Sequence, residues 1–474
     1  MDTPESFFAS PTSLGIVLTI TGLFLYSVFR IVYPRFPYPL PPSPPGEPIL
    51  GHFRRLPTEN AHLKHMEYAK QYNRPRFVLF DVMGWGLTLT FLPYGPRFRL
   101  HRSALQTGFT KTAITKYRPI QEDEARQAVS RILKRPEGWD FSLRRFASSI
   151  VLRIGFGVTV RSDDDPYIKI AIDANMATGG GGNPGTALVD YLPSFRYIPQ
   201  FLNFSKSLQH ARKWGWAIKN LHDIPFSAIK KEFYKENEEE GVPNEFTLRD
   251  IQGASGAVFI AGSNTTFATT TIAILNMMLN PEIFQKARAE IDRVVGTERL
   301  PTFQDRPNLR YIDYLVEEVS RWRPLSPIGI PHKSLEDDVY NGLFIPKGTV
   351  VYYNTFAMSR DLNVYKDPEK FNPDRYIPKE EGGDGEPLLV GPFGFGRRVC
   401  VGRHLAQASV WIIMATLIAT TDISKPIGPD GKPIEQTIQF STGLSSHPGR
   451  LDVVFKPRSK KTGRLLAEAV KDAQ

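Results

Sequence analysis

The chain has one cysteine, Cys400, so neither an intrachain disulfide nor a multi-cysteine zinc site can staple it. At 474 residues it needs no staple, because a chain of this length can bury a large hydrophobic core. That cysteine lies in the most unusual stretch of the sequence, Pro392–Gly402, PFGFGRRVCVG, which runs into RHLAQASVWIIMATL. Gly394, Gly396 and Gly402 permit tight turns and let a backbone approach a flat object. A helix amino terminus and the neighbouring Arg397 and Arg398 would stabilise a thiolate. A lone cysteine is by default a small buried hydrophobe. In this setting it is a nucleophile or a metal ligand.

A second constraint comes from the other end. No residue from Ser6 to Phe29 is charged, and Leu14–Phe29 is almost continuously apolar. As a helix this stretch rises roughly 36 Å, more than a hydrocarbon core of about 30 Å. Asp2 and Glu5 precede it and Arg30 and Arg35 follow it, which places the amino terminus on the lumenal side and the body in the cytosol. The basic region that opens a signal peptide is missing. The expectation is therefore a single transmembrane anchor within residues 1–33. Pro34–Pro48, PRFPYPLPPSPPGEP, follows as a stiff, extended hinge.

Beyond the hinge helical periodicity dominates, in Thr58–Gln71, Lys116–Lys134, Ser205–Glu239, Leu248–Met278 and Pro281–Val295. Short strands are expected from Val339 to Tyr353, around Asn341-Gly342 and Lys347-Gly348. The fold class is mostly α with small β-sheets, without a solenoid repeat. Gly253–Ile260 and Val410–Leu417 are short enough to be buried helix segments, so no second span is expected. Gly179–Gly182 lacks a GK[ST] continuation and is taken as a flexible loop. The net charge of +10 suits an acidic protein partner or anionic lipid as well as nucleic acid. The basic tail at 457–474, with PRSKKTGR, has no interleaved aromatics, so solvent or a membrane surface is favoured and nucleic acid is not.

FGFGRRVCVG resembles the haem-thiolate signature of the cytochrome P450 family, F-x-x-G-x-R-x-C-x-G, through Phe393, Gly396, Arg398, Cys400 and Gly402. Glu318–Arg321 resembles the E-x-x-R pair, Phe371–Tyr376 the F-x-P-E-R-F segment, and Ala261–Thr266 the A-G-x-D/E-T-T of the long oxygen-binding helix. All four occur in the family's order. RPR, MGWG, LPYGPRF, PHK and SSHPG are similar to fungal members near the O-methylsterigmatocystin oxidoreductases.

The resemblance implies a P450 catalytic domain over 49–456 that holds haem b, with Cys400 as the iron ligand and Phe393 beside its sulfur. Arg102, His332 and Arg398 match residues that contact the haem propionates, and Glu318, Arg321 and Arg375 match a structural salt-bridge cluster. It further implies an endoplasmic reticulum enzyme that inserts one oxygen atom into an apolar small molecule. Electrons would come from NADPH through NADPH-cytochrome P450 reductase, with cytochrome b5 as a second donor.

Three departures stand out. Phe98 replaces the tryptophan of the W-x-x-x-R pattern that ends on Arg102, losing the indole N–H. Asn264 replaces the carboxylate before Thr265; Thr265 can still order water, but Asn264 cannot relay protons. The chain also passes from Tyr72 directly to Asn73 where the family carries about forty more residues, so the first sheet and following helix are expected to be shortened. Asn264 keeps open a haem-thiolate isomerase, dehydratase or peroxide-dependent oxidase, and the shortening keeps open a degenerate, inactive member.

Overall fold

A computed structural model describes residues 19, 21–23, 26, 38, 39, 41, 78–180, 187–191, 193–240 and 247–471. The chain divides into two compact units. The smaller comprises Met1–Leu56, Glu67–Pro75 and His332–Val351. Its described strands are β1 (His332–Lys333), β2 (Asp338–Tyr340), β3 (Leu343–Ile345) and β4 (Val350–Val351). Antiparallel pairing joins β1 to β4 and β2 to β3. Asn341 and Gly342 both have positive φ, 50° and 77°, which suits the primed turn of a two-residue hairpin. The Phe344 N–H donates to the Pro39 carbonyl at 2.8 Å, so the proline-rich segment is tied to this hairpin.

The larger unit comprises Pro57–Met66, Arg76–Pro331 and Tyr352–Gln474. Its main helices are α1 (Val78–Met83), α2 (Pro96–Phe109), α3 (Arg118–Lys134), α4 (Trp139–Phe156), α5 (Pro166–Gly180) and α6 (Lys206–Glu240). They continue with α7 (Leu248–Leu279), α8 (Pro281–Val294), α9 (Arg310–Trp322), α10 (Arg403–Thr420) and α11 (Lys460–Lys471). Pro96 and Pro281 open their helices where a missing N–H costs nothing. Thr247 and Asp250 form a capping box at the start of α7. β5 (Thr421–Ser424) and β6 (Val454–Pro457) pair antiparallel, with Ile423 opposite Phe455.

Two helices set the core because their sequences leave no polar face to offer water. In α10 every residue from Ala408 to Thr420 is buried. The second half of α7, Phe267 to Met278, joins it in one cluster with α3, α4, α8 and α9. Earlier in α7, Phe259 packs in a second cluster with Phe80, Phe156 and Leu221. α7 thus threads both clusters.

The helical expectations hold to within two residues for α3, α6, α7 and α8, whereas Thr58–Gln71 and the Tyr72-Asn73 junction lie outside the described residues. The N-terminal transmembrane helix requires correction. Among the described residues the one helix long and apolar enough to cross a membrane is Leu248–Leu279, and more than half of its most apolar window is buried in the protein. Its apolar surface is satisfied by the two clusters it threads. The expected span falls outside the described residues except for positions 19, 21–23 and 26, which are helical and exposed. α5 runs through Gly179 and Gly180, so the expected loop does not begin at Gly179. Within the basic tail Lys460–Lys471 forms α11, which is not wholly solvated: Leu466 is buried and Leu465 and Ala469 pack on the main cluster.

Candidate active site around Cys400

The cysteine loop turns tightly because Gly394 and Gly396 adopt φ of 76° and 55°, the left-handed region that favours glycine. A side chain on Gly394 would also press on the Tyr353 hydroxyl, 3.1 Å from where its first carbon would lie. The loop closes on itself through the Cys400 N–H, which donates to the Phe393 carbonyl at 2.8 Å. α10 begins three residues later. The amides of Gly402 and Arg403, where α10 begins, favour the thiolate form of Cys400. Burial pushes the thiol pKa up, and these amides together with the charges of Arg102 and Arg403 oppose it.

Cys400 is an exposed residue, while desolvation by the protein around it dominates the titration of its thiol.

Arginines line the surroundings. Arg102, on α2, donates from Nη1 to the Val399 carbonyl at 2.5 Å and from Nε to Gln106 at 3.3 Å. Arg398 donates from Nη2 to the Leu92 carbonyl at 2.9 Å, and its guanidinium lies 4.0 Å from the centre of the Phe98 ring. Phe98 therefore supplies a cation–π platform where the family has an indole. Arg397 donates to the Tyr94 hydroxyl at 2.7 Å, and Arg403 to the Cys400 carbonyl at 3.1 Å. Burial lowers the pKa of Arg102 and of Arg398, and Arg102 lowers that of Arg398 further. Among the described residues none of these four arginines is paired with a carboxylate. A cluster of cations without carboxylate partners among the described residues, beside a cysteine on a thin glycine loop, fits a flat iron macrocycle with carboxylates on its edge.

Cys400, Arg102, Arg398 and the Phe393 carbonyl are brought together. Asn264 and Thr265 stand on α7, about two turns beyond Ala257, which packs with Phe98 and Leu92. The Asn264 amide donates to the Ser445 hydroxyl at 3.3 Å, and the Thr265 hydroxyl donates to the Ala261 carbonyl at 2.5 Å. His332 lies on β1 opposite Val351, in the smaller unit. The sequence reading missed Tyr353, whose ring meets Phe395 edge-on at 5.1 Å and whose hydroxyl accepts from the Ile330 N–H at 3.3 Å. It also missed the partners Leu92 and Tyr94, although LPYGPRF had marked their segment.

A family profile described as Cytochrome P450 matches residues 58–454. The chain belongs to the cytochrome P450 family. A P450 monooxygenase of Armillaria gallica is 31% identical over 510 aligned positions, which cover 96% of this chain and 99% of the relative. The P450 monooxygenase 136 of Postia placenta is 32% identical, with 91% of each chain covered. The P450 monooxygenase COX2 of Coprinopsis cinerea is also 32% identical, covering 88% of this chain and 89% of its own. In the first comparison 96% of 474 residues is about 455, so about 55 of the 510 positions face a gap in this P450. Nearly the whole relative is covered, so the shortfall is internal. As a fungal P450 monooxygenase the protein is an oxidoreductase of haem-thiolate type that uses NADPH through a reductase partner.

Proposed function

We propose that Cys400 is the axial thiolate ligand of haem b and that Arg102 and Arg398 hold the propionates, with His332 joining them by family resemblance. When bound, the haem supplies the one-electron and dioxygen chemistry that side chains lack. The protein's own part is support. The Gly402 and Arg403 amides stabilise negative charge on the Cys400 sulfur. Phe393 ties the loop shut through its carbonyl. Arg102 binds the loop at Val399 while its remaining N–H groups stay available to an anion. Thr265 and Asn264 form the pair on α7 that orders water near the iron, Thr265 through its hydroxyl and Asn264 through an amide that holds water without relaying protons.

The substrate class we propose is an apolar secondary metabolite, lipid or xenobiotic, in the manner of fungal members that resemble O-methylsterigmatocystin oxidoreductase. The site of action is the cytosolic face of the endoplasmic reticulum membrane, where NADPH-cytochrome P450 reductase supplies electrons and cytochrome b5 assists. The cysteine just before α10, with four nearby arginines that lack carboxylate partners among the described residues, supports this reading. Cys400→Ser should abolish the red-shifted Soret band of the reduced carbon-monoxide complex together with NADPH-driven turnover. Persistence of that band in the variant would remove Cys400 as the ligand.

A further inference from the structure

Asp250, at the start of α7, accepts four hydrogen bonds. Its Oδ1 takes the Arg97 Nε at 2.8 Å and the His101 Nε2 at 2.9 Å; its Oδ2 takes the Thr247 N–H at 3.0 Å and the Thr247 hydroxyl at 2.5 Å. Burial opposes its ionisation, but these donors outweigh that and hold its carboxyl well below the usual range. An ionised carboxylate only accepts, so His101 must donate from Nε2. The His101 ring is fully buried and its Nδ1 has no partner among the described residues, which leaves Asp250 as the ring's polar anchor there. Capping α7 accounts for the two bonds to Thr247. It does not account for two cationic or donor groups brought from a different helix.

Both of those groups come from α2, one turn apart on a single stripe. Phe98 and Arg102 follow each by one residue and form the adjacent stripe, rotated by about 100° around the helix. That second stripe meets the cysteine loop, Phe98 beneath Arg398 and Arg102 at the Val399 carbonyl. A helix held along one stripe cannot roll, so the Asp250 bonds set the angle at which Arg102 and Phe98 reach the loop.

We propose that Asp250 is a positioning residue for the haem site: it clamps α2 to α7 through Arg97 and His101 and thereby fixes Arg102 and Phe98 against the cysteine loop. The proposal rests on the reading of Cys400, Arg102 and Arg398 as haem contacts. It separates capping, which concerns Thr247 and α7 alone, from clamping, which concerns α2.

The test compares wild type with Asp250→Asn, Asp250→Glu, Arg97→Leu and Thr247→Val as haem-loaded full-length proteins. The readouts are the thermal midpoint, the share of the reduced carbon-monoxide complex in the red-shifted thiolate band, and the rate of haem transfer to apomyoglobin. Asp250→Asn should shift part of the band to shorter wavelength and speed haem transfer by about tenfold, the scale of a lost charged hydrogen bond. Asp250→Glu should recover most of both. Arg97→Leu, at a half-exposed position, should act in the same direction more weakly while folding normally, and it decides the matter if Asp250→Asn does not fold. Thr247→Val should lower the midpoint and leave band and transfer rate unchanged. Equal band and transfer changes in Thr247→Val and Asp250→Asn, or wild-type behaviour in Arg97→Leu, would overturn the clamp. A wild type without the red-shifted band would instead overturn the underlying haem reading.

Discussion

Glu318 shows how much one buried side chain can hold. It accepts from Arg321 at 2.7 and 2.8 Å, from the Asn372 N–H at 2.7 Å, from Arg375 at 3.2 Å and from the Tyr376 hydroxyl at 3.1 Å. Burial, then the charge of Glu318, pushes the Tyr376 hydroxyl far above its ordinary pKa, so it remains a donor. Arg321 spends its other donors on the carbonyls of Ser359, Pro368 and Lys370. The carboxylate thus gathers α9 and the segment before the cysteine loop around one point. Glu318→Gln would leave two buried guanidiniums with too little negative charge, a change that costs about 3–5 kcal/mol when one partner of a buried pair is lost. A urea unfolding midpoint should fall accordingly, with less haem retained. Glu381→Gln, which breaks the exposed pair with Arg310, should leave the midpoint unchanged. The resemblance to the E-x-x-R motif made Glu318 and Arg321 readable, and i and i+3 do share a helix face. Asn372 and Tyr376 were not readable as partners, because nothing local sets how a segment more than fifty residues on folds back.

Among the elements, α7 carries the widest responsibility. Thr247 and Asp250 cap its start, and a long, mostly apolar sequence carries it to Leu279, so its extent was legible. Its burial was expected only from the shortness of its apolar run Gly253–Ile260, since a helix of this composition can be surrounded by lipid or by protein. The structure chooses protein, and it does so through close approach. Gly262 has no room for a methyl group, because Val151 of α4 occupies the space. Gly262→Ala should therefore destabilise the fold by about 1–3 kcal/mol, the usual effect of overpacking a core. Val151→Ala in the same chain should recover much of that loss, and the two changes should be non-additive in thermal unfolding. Additive losses would mean that α4 and α7 do not meet at this pair. Because the same helix carries Asn264 and Thr265 one turn or less beyond Gly262, the single variant should also reduce product formed per NADPH.

For the molecule as a whole, the last residues complete the main core. Arg458 binds Asp292 of α8 through both ends of its guanidinium, at 2.6 Å each, Lys461 pairs with Glu298, and Leu466 is buried. Ending the chain after Pro457 should lower stability by at least about 2 kcal/mol, from the burial of Leu466 alone. Unchanged urea unfolding would show that α11 is a bystander. By itself the sequence determined the order of the four motifs, the cysteine and its glycine loop, the hairpin turn at Asn341-Gly342 and the phases of the long helices. The glycine loop, the turn and the helix phases depend on residues within one or two turns of each other, where φ preferences, caps and i to i+4 spacing act directly. Only the tertiary structure decided that Arg102 bonds to Val399, 297 residues away, that Arg398 rests on Phe98, and that Asp250 joins α2 to α7. Such pairings are set by which distant surfaces the packing of two apolar clusters brings together, and no local rule in the chain encodes that choice.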